Sequence, residues 1–348
     1  MKTNKKIVIT GTFTIATIIA LIVFSKFPPI TETIYSRGIY RVVASVISPI
    51  SSLFPISLFD LFTCGVILYF LYLLIFFLIY KRGIKAFLSK MLFLITFIFV
   101  AFYWLWGFNY FRETPFERLN LQKQEFQEIY ITEALDTLIP LINKNFIPEL
   151  SISNKEVDKL IEQSYKRHAD IFGLRYPMGK RRPKTMLFTG IYSKSGVHGY
   201  FGPFFNEIHL NGNLLSIQYP TVLAHEKSHQ MGISSEAEAN FYGYLICKYS
   251  GNKELEYCAD LKLTVKFLRN LQKANPESYK IYYSEIDTNV IEQLVDIKKY
   301  WLNLLNHNMS DIQQKAYNSY LKSNGVKRGI QDYDMVSELI IAWNHRKY

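Results

Sequence analysis

The sequence predicts a mainly α (α+β) chain in which transmembrane helices at the amino end precede a mostly helical domain with a small β-sheet. Three observations predict it. Long uncharged apolar stretches are confined to the first third of the 348 residues. Helical periodicity with capping residues dominates the remainder, and one segment between Tyr176 and Asn213 breaks into short runs punctuated by Gly, Pro and Lys. The expected division is a membrane domain over 1–111 and an extracytoplasmic domain over 112–348.

The membrane domain rests on three stretches, Ile7 to Ser25, Leu61 to Tyr80 and Met91 to Phe111. Each is long enough for a helix to cross a hydrocarbon layer, which takes about 20 apolar residues. The basic start Met1 to Lys6 would also suit a signal peptide. The apolar part, however, exceeds the usual core of about 7 to 15 residues, and no small-x-small cleavage site precedes Lys26, so an uncleaved span is favoured. The connection over 27–60 includes a further uncharged run, Val42 to Phe59, which carries Pro49, Pro55 and five serines. Proline interrupts a lipid-exposed helix, so an interfacial or re-entrant segment is expected there, with a fourth span as the alternative.

The net charge of +11 invites a nucleic-acid reading, but its distribution excludes one. Met1 to Trp106 holds ten Lys or Arg against two acids, leaving 30 basic and 27 acidic residues for the rest. Most of the excess is therefore a topology signal. By the positive-inside tendency the amino terminus and the Lys81 to Lys90 loop face the cytoplasm, and three spans leave the carboxy-terminal domain outside. The expected setting is multi-pass, in a bacterial-type cell (inner) membrane, with the lipid bilayer as a partner. Cys64 falls within the second stretch as a small apolar residue, whereas Cys247 and Cys258 could form a bridge in an oxidising compartment.

In the outer domain, Thr132 to about Asn145 reads as a helix, and Ser153 with Glu156 caps another running to about Phe172. Thr185 to Thr189 and Asn206 to Leu210 read as strands, and Gly196, Gly199 and Gly202 mark tight backbone. Helices are then expected from Tyr219 to Met231 and from Ser235 to Lys248, broken at Gly232. Further helices are separated by Gly251, Asn275-Pro276 and Gly325.

The first of that helix pair contains His225-Glu226-Lys227-Ser228-His229. Residues four apart share a helix face, so the two imidazoles can converge on one ion, and zinc is the expected cofactor. Glu226 can then reach a water polarised by the ion and act as general base. A third ligand is required, and the next helix begins with Glu236 and Glu238. If Ser235 caps that helix, Glu238 completes a capping box, so Glu236 is the favoured ligand and Glu238 the alternative. Asn240, one turn beyond Glu236, is placed to support a ligand by hydrogen bonding. Lys227 departs from the uncharged residues usual between Glu and the second His, and is expected to point to solvent.

The run His225 to His229, then Gly232, then Glu236-Ala237-Glu238-Ala239-Asn240-Phe241, resembles the HExxH plus ExxAN arrangement of gluzincin peptidases. It is similar in particular to the domain of unknown function 3810 family of multi-span membrane proteins. Tyr35 to Tyr40, Gly199-Tyr200-Phe201 and Tyr320 to Asn324 support that likeness. The resemblance implies a zincin-like domain, an edge strand beside the cleft, for which Phe205 to Leu210 is the candidate, and a Tyr or His stabilising the oxyanion. Tyr317, Tyr320 and Tyr333 are candidates for that last role, and His198 and His209 read as structural. The expected function is zinc-dependent hydrolysis of a peptide or protein substrate, with no nucleic-acid partner. The alternative is a catalytically inactive protein that keeps the site as a structural or sensing module. A transporter is disfavoured, because the spans carry almost no ionisable residue.

Overall fold

A computed structural model describes residues 2–80, 83–123, 127–324 and 335–346, with the side chains of 2–8 and 80 outside that description. Helix dominates, and three helices are long and apolar enough to cross a membrane, so the chain has the features of a membrane protein. They are α1 (Lys2–Lys26), with its apolar window at Ile9–Lys26, α4 (Leu58–Tyr80) and α5 (Ile84–Leu105). The chain divides into two compact units. The first comprises Met1–Glu113, Pro177–Leu187 and Phe201–Glu207, and the second Thr114–Tyr176, Phe188–Tyr200 and Ile208–Tyr348.

The first unit departs from the expected boundaries in two places. The third apolar helix starts at Ile84, after Gly83 in a left-handed conformation, and ends at Leu105 rather than Phe111. Gly107–Phe111 instead tightens into a 3-10 turn. Trp106 and Phe108 are buried there among Phe24, Tyr35, Tyr40 and Tyr103, and an uncharged window does not tell such packed aromatics from lipid-facing ones. The connection expected as a loop over 27–60 is mostly helical: α2 (Pro28–Ile30), a π-helix (Thr31–Ile39) and α3 (Tyr40–Ser51). Pro49 sits in the last turn of α3, and this segment contains no helix long enough to span. Tyr40, Ala44 and Ser48 bury one face of α3, and Val42, Val46 and Ile50 expose the other.

A small sheet joins β1 (Pro183–Thr185), β2 (Gly199–Gly202) and β3 (Glu207–Leu210) in the order β1-β3-β2. The expected edge strand, Phe205 to Leu210, is therefore the middle one. Paired on both sides and buried at all four residues, β3 offers no open edge, and β1 and β2 are the edge strands instead. The expected strand Thr185 to Thr189 stops at Thr185, and a short helix α9 (Thr189–Lys194) follows.

The second unit is built from α6 (Pro115–Arg118), α7 (Glu128–Lys144), α8 (Asn154–His168), α10 (Tyr219–Gln230), α11 (Glu236–Lys248), α12 (Lys253–Ala274), α13 (Pro276–Ser284), α14 (Thr288–Leu304), α15 (His307–Ser323) and α16 (Met335–Asn344). Helix α12 lies against α7, α10, α11 and α13, and α11 also packs on α8 and α16. Their apolar stripes share one core that includes Ile131, Leu135, Val157, Ile161, Leu223, Phe241, Ile246, Phe267 and Leu271. Ser153 caps α8 by accepting from the Glu156 amide at 3.3 Å. Cys247 and Cys258 are both buried and unbridged.

Candidate metal centre

The centre is made where α10 stops. Pro220 opens that helix, where its missing N–H costs nothing. Its end is a Schellman turn: Ile233 N–H bonds the Ser228 carbonyl at 3.2 Å, Gly232 N–H bonds the His229 carbonyl at 3.0 Å, and Gly232 takes a φ of 81°. The same turn aims the Ile233 carbonyl at His229 Nδ1, 2.6 Å away. A proton on Nδ1 donated to that carbonyl leaves the Nε2 lone pair free for a ligand.

Ser235 then caps α11, accepting from the Glu238 amide at 3.3 Å, which puts Glu236 at the first helical position. Helices α10 and α11 approach closely at Gly243, where a Cβ would lie 3.2 Å from the Thr221 carbonyl oxygen and 3.3 Å from the His225 nitrogen. This close packing brings Glu236 Oε2 to 3.1 Å from His225 Nε2 and Oε1 to 3.5 Å from His229 Nε2. One donor atom from each of His225, His229 and Glu236 lies within 4.8 Å of the others, a group able to hold a metal ion. Side-chain exposures of 12%, 7% and 10% leave them nearly closed to solvent but not sealed from it.

Charge is distributed to suit a cation. Burial would raise the Glu236 carboxyl, but the hydrogen bond with His225, the charges of His229 and His225, and the hydrogen bond from Tyr317 outweigh it and hold its pKa well below the usual carboxylate range. Burial pushes the His229 imidazole down, toward the neutral form. Glu226 is buried, and first that burial and then the nearby Glu236 raise its pKa well above the ordinary value, while Lys262 pulls it back. Its Oε2 has no hydrogen-bond partner among the described residues. The carboxylate lies against β2: a Cβ on Gly199 would sit 2.5 Å from Glu226 Oε1.

The remaining candidates are placed as follows. Glu238 pairs with the buried Arg118 at the end of α6, not with the histidines. Asn240 donates to the Glu236 main-chain carbonyl at 2.9 Å, so it holds the backbone of the first turn, not a ligand carboxylate. Tyr317 of α15 donates its hydroxyl to Glu236 Oε1. Tyr320 stacks on Tyr317 with ring centroids 6.2 Å apart, and Tyr333 lies outside the described residues. His198 stacks on Trp301 at 4.1 Å and His209 on Tyr200 at 4.4 Å.

Lys227 corrects an expectation. Instead of reaching solvent it is fully buried, 2.7 Å from Asp158 and paired also with Glu162 on α8. Those carboxylates, four apart, share a face of α8, and a buried ammonium needs such partners. Three contributors were not anticipated: Arg118, Gly243 and Lys262. Arg118 and Lys262 lie far from the motif in sequence, and nothing local signals them. A glycine inside an otherwise regular helix was the available sign for Gly243.

A family model described as "Protein of unknown function (DUF3810)" matches residues 35–341. Neither a curated protein nor a solved structure matches the chain.

Proposed function

The chain belongs to the DUF3810 family, and from that premise we propose that it is a membrane-anchored, zinc-dependent peptidase. The observation that carries this is the donor spacing. Ligands about 2.1 Å from a tetrahedral zinc lie about 3.4 Å apart, and each imidazole has one Glu236 oxygen near that spacing, Oε2 at 3.1 Å from His225 Nε2 and Oε1 at 3.5 Å from His229 Nε2. Two imidazoles and a carboxylate also make a donor set that zinc prefers. On this reading His225, His229 and Glu236 hold the ion, which supplies Lewis acidity and lowers the pKa of water in the site.

The chain's own residues do the rest. Glu226 Oε2, without another partner among the described residues, accepts a proton from the attacking water and delivers it to the departing amine nitrogen, so that water and a peptide bond become a carboxylic acid and an amine. Gly199 keeps space for that carboxylate. The Tyr317 hydroxyl orients Glu236 by donating to its Oε1 and, next to that ligand, is the group that would donate to the reacting carbonyl oxygen as negative charge develops. The substrate is a peptide or unfolded protein segment, since β2, which carries Gly199 against Glu226, ends the sheet and an extended chain can pair with an edge strand. The proposal puts this work on the outer face of a bacterial-type inner membrane.

Full-length protein purified in detergent is expected to hold about one zinc per chain by elemental analysis. Glu226→Gln should keep the metal and lose casein cleavage by about 10²–10⁴-fold. Glu236→Ala should release the metal, and Glu238→Ala should not. Wild type that retains no zinc, or Glu226→Gln cleaving at the wild-type rate, would reject the peptidase assignment. Metal retained with no cleavage by wild type would favour a sensing module.

A further inference from the structure

Among the described large apolar residues the two most exposed, Leu53 at 78% and Met178 at 70%, lie on none of the three long apolar helices. Both belong to one surface of the first unit. Helix α3 exposes Val42, Val46 and Ile50 along one stripe, and the link over 52–57 between α3 and α4 adds Leu53, Phe54 and Ile56. The segment after Pro177 runs alongside. Met178 N–H donates to Ser45 Oγ at 3.0 Å, and Gly179 packs tightly against Pro49. Ser52 Oγ donates to the Lys180 carbonyl at 3.2 Å and accepts from the Arg182 amide at 3.1 Å. The link itself is held from within: the buried Lys184, paired with Glu207, donates to the carbonyls of Ser51 at 3.0 Å and Ile56 at 2.8 Å. Glu207 in turn accepts from the Phe59 amide at 3.0 Å in the first turn of α4. A backbone fixed on its inner side keeps Leu53, Phe54 and Ile56 turned outward.

Contiguous apolar side chains held outward call for an apolar neighbour, and the two ends of α3 identify it. At its start Tyr40 packs on Tyr35, whose hydroxyl donates to the Tyr103 and Trp104 carbonyls in the last turn of α5. At its end the short link leads into the first turn of α4. Helix α3 is thus tied to the ends of two helices long enough to cross a bilayer, the level at which hydrocarbon gives way to headgroups. Cations border the same surface. Arg41, Lys180 and Arg182 are exposed, and none of their side chains has an acidic partner among the described residues. We propose that α3 and Met178–Arg182 form one membrane-contact surface, seated in the headgroup layer of the bilayer that holds α4 and α5, where Arg41, Lys180 and Arg182 bind anionic phospholipid headgroups. Helix α3 carries a single charge, Arg41, so an interfacial α3 by itself would select weakly among lipids. The later segment supplies the other two cations, which turns a surface that merely rests in the membrane into one that chooses its lipid.

The test uses full-length Cys64→Ala protein in nanodiscs, with bimane attached at Leu53→Cys or Met178→Cys, since Cys247 and Cys258 are buried. Leu68→Cys, exposed on α4, is the lipid reference, and Glu277→Cys, exposed on α13, the aqueous one. Brominated lipid should quench both test positions as it does Leu68→Cys, and iodide should quench Glu277→Cys alone. At Met178→Cys, half-quenching should need about fivefold less brominated phosphatidylglycerol than brominated phosphatidylcholine. Combining Arg41→Gln, Lys180→Gln and Arg182→Gln should erase that difference and leave quenching at Leu68→Cys unchanged. A test position that brominated lipid fails to quench overturns the surface: quenching there by iodide puts it in water, and protection from both quenchers puts it against a second copy or another protein. Equal quenching by the two lipids in the protein with all three cations, or a preference that survives their removal, overturns the headgroup site.

Discussion

A single hydrogen atom at Gly199 decides where the Glu226 carboxylate rests. Alanine there would put a methyl 2.5 Å from Oε1, closer than unbonded atoms tolerate, so the carboxylate must swing away. We expect Gly199→Ala to bind as much metal as wild type, because none of the three candidate ligands is touched, yet to lose cleavage by about 10²–10⁴-fold as Glu226→Gln does. Zinc analysis and casein turnover on the same preparation check this. His198 sets a second expectation. Burial and then Lys262 push its pKa down to about 4, against 6.5 when free. The unfolded chain then takes a proton between pH 6.5 and 4 that the folded chain refuses, so stability is present above that window and falls as pH drops through it, by at most about 1.4 kcal/mol per unit. Urea midpoints at pH 7 and pH 5 should converge in His198→Phe, which keeps a ring on Trp301.

At the scale of elements, α10 is tied on one side to Glu236 of α11 through His225 and His229 and on the other to Asp158 and Glu162 of α8 through Lys227. Lys227→Met strands those two carboxylates and should lower the unfolding free energy by about 3–5 kcal/mol, whereas a solvated lysine would change it by under about 0.5 kcal/mol. Chemical denaturation of the full-length chain separates the two outcomes. The helix pair itself was legible in the sequence, since its signals are local: Pro220 at the start, Gly232 at the break, Ser235 at the cap and histidines four apart. What was illegible came from far along the chain. Periodicity says that α8 has a polar face but not that Asp158 and Glu162 will cover a lysine of α10, and strand propensity marks β3 without revealing that β1 and β2 flank it. The early end of α5 at Leu105 was hidden for a related reason, because Trp106 and Phe108 are as apolar as a lipid-facing run.

For the molecule as a whole, the first unit contains all three apolar helices and the second contains all three candidate ligands. The basic excess beside α1 and between α4 and α5 predicts a cytoplasmic amino terminus and an outer second unit. Alkaline phosphatase fused after Tyr348 should be active and a fluorescent protein that matures only in the cytoplasm dark, and the reverse pattern would invert the orientation. The Schellman turn has one more consequence. Because it needs so few residues to reverse the chain, all three donors come from the twelve residues His225 to Glu236, and closing so short a loop costs little entropy. The register of the whole donor set is therefore set within this one short stretch, and no residue as distant as Tyr317 has to supply a donor atom.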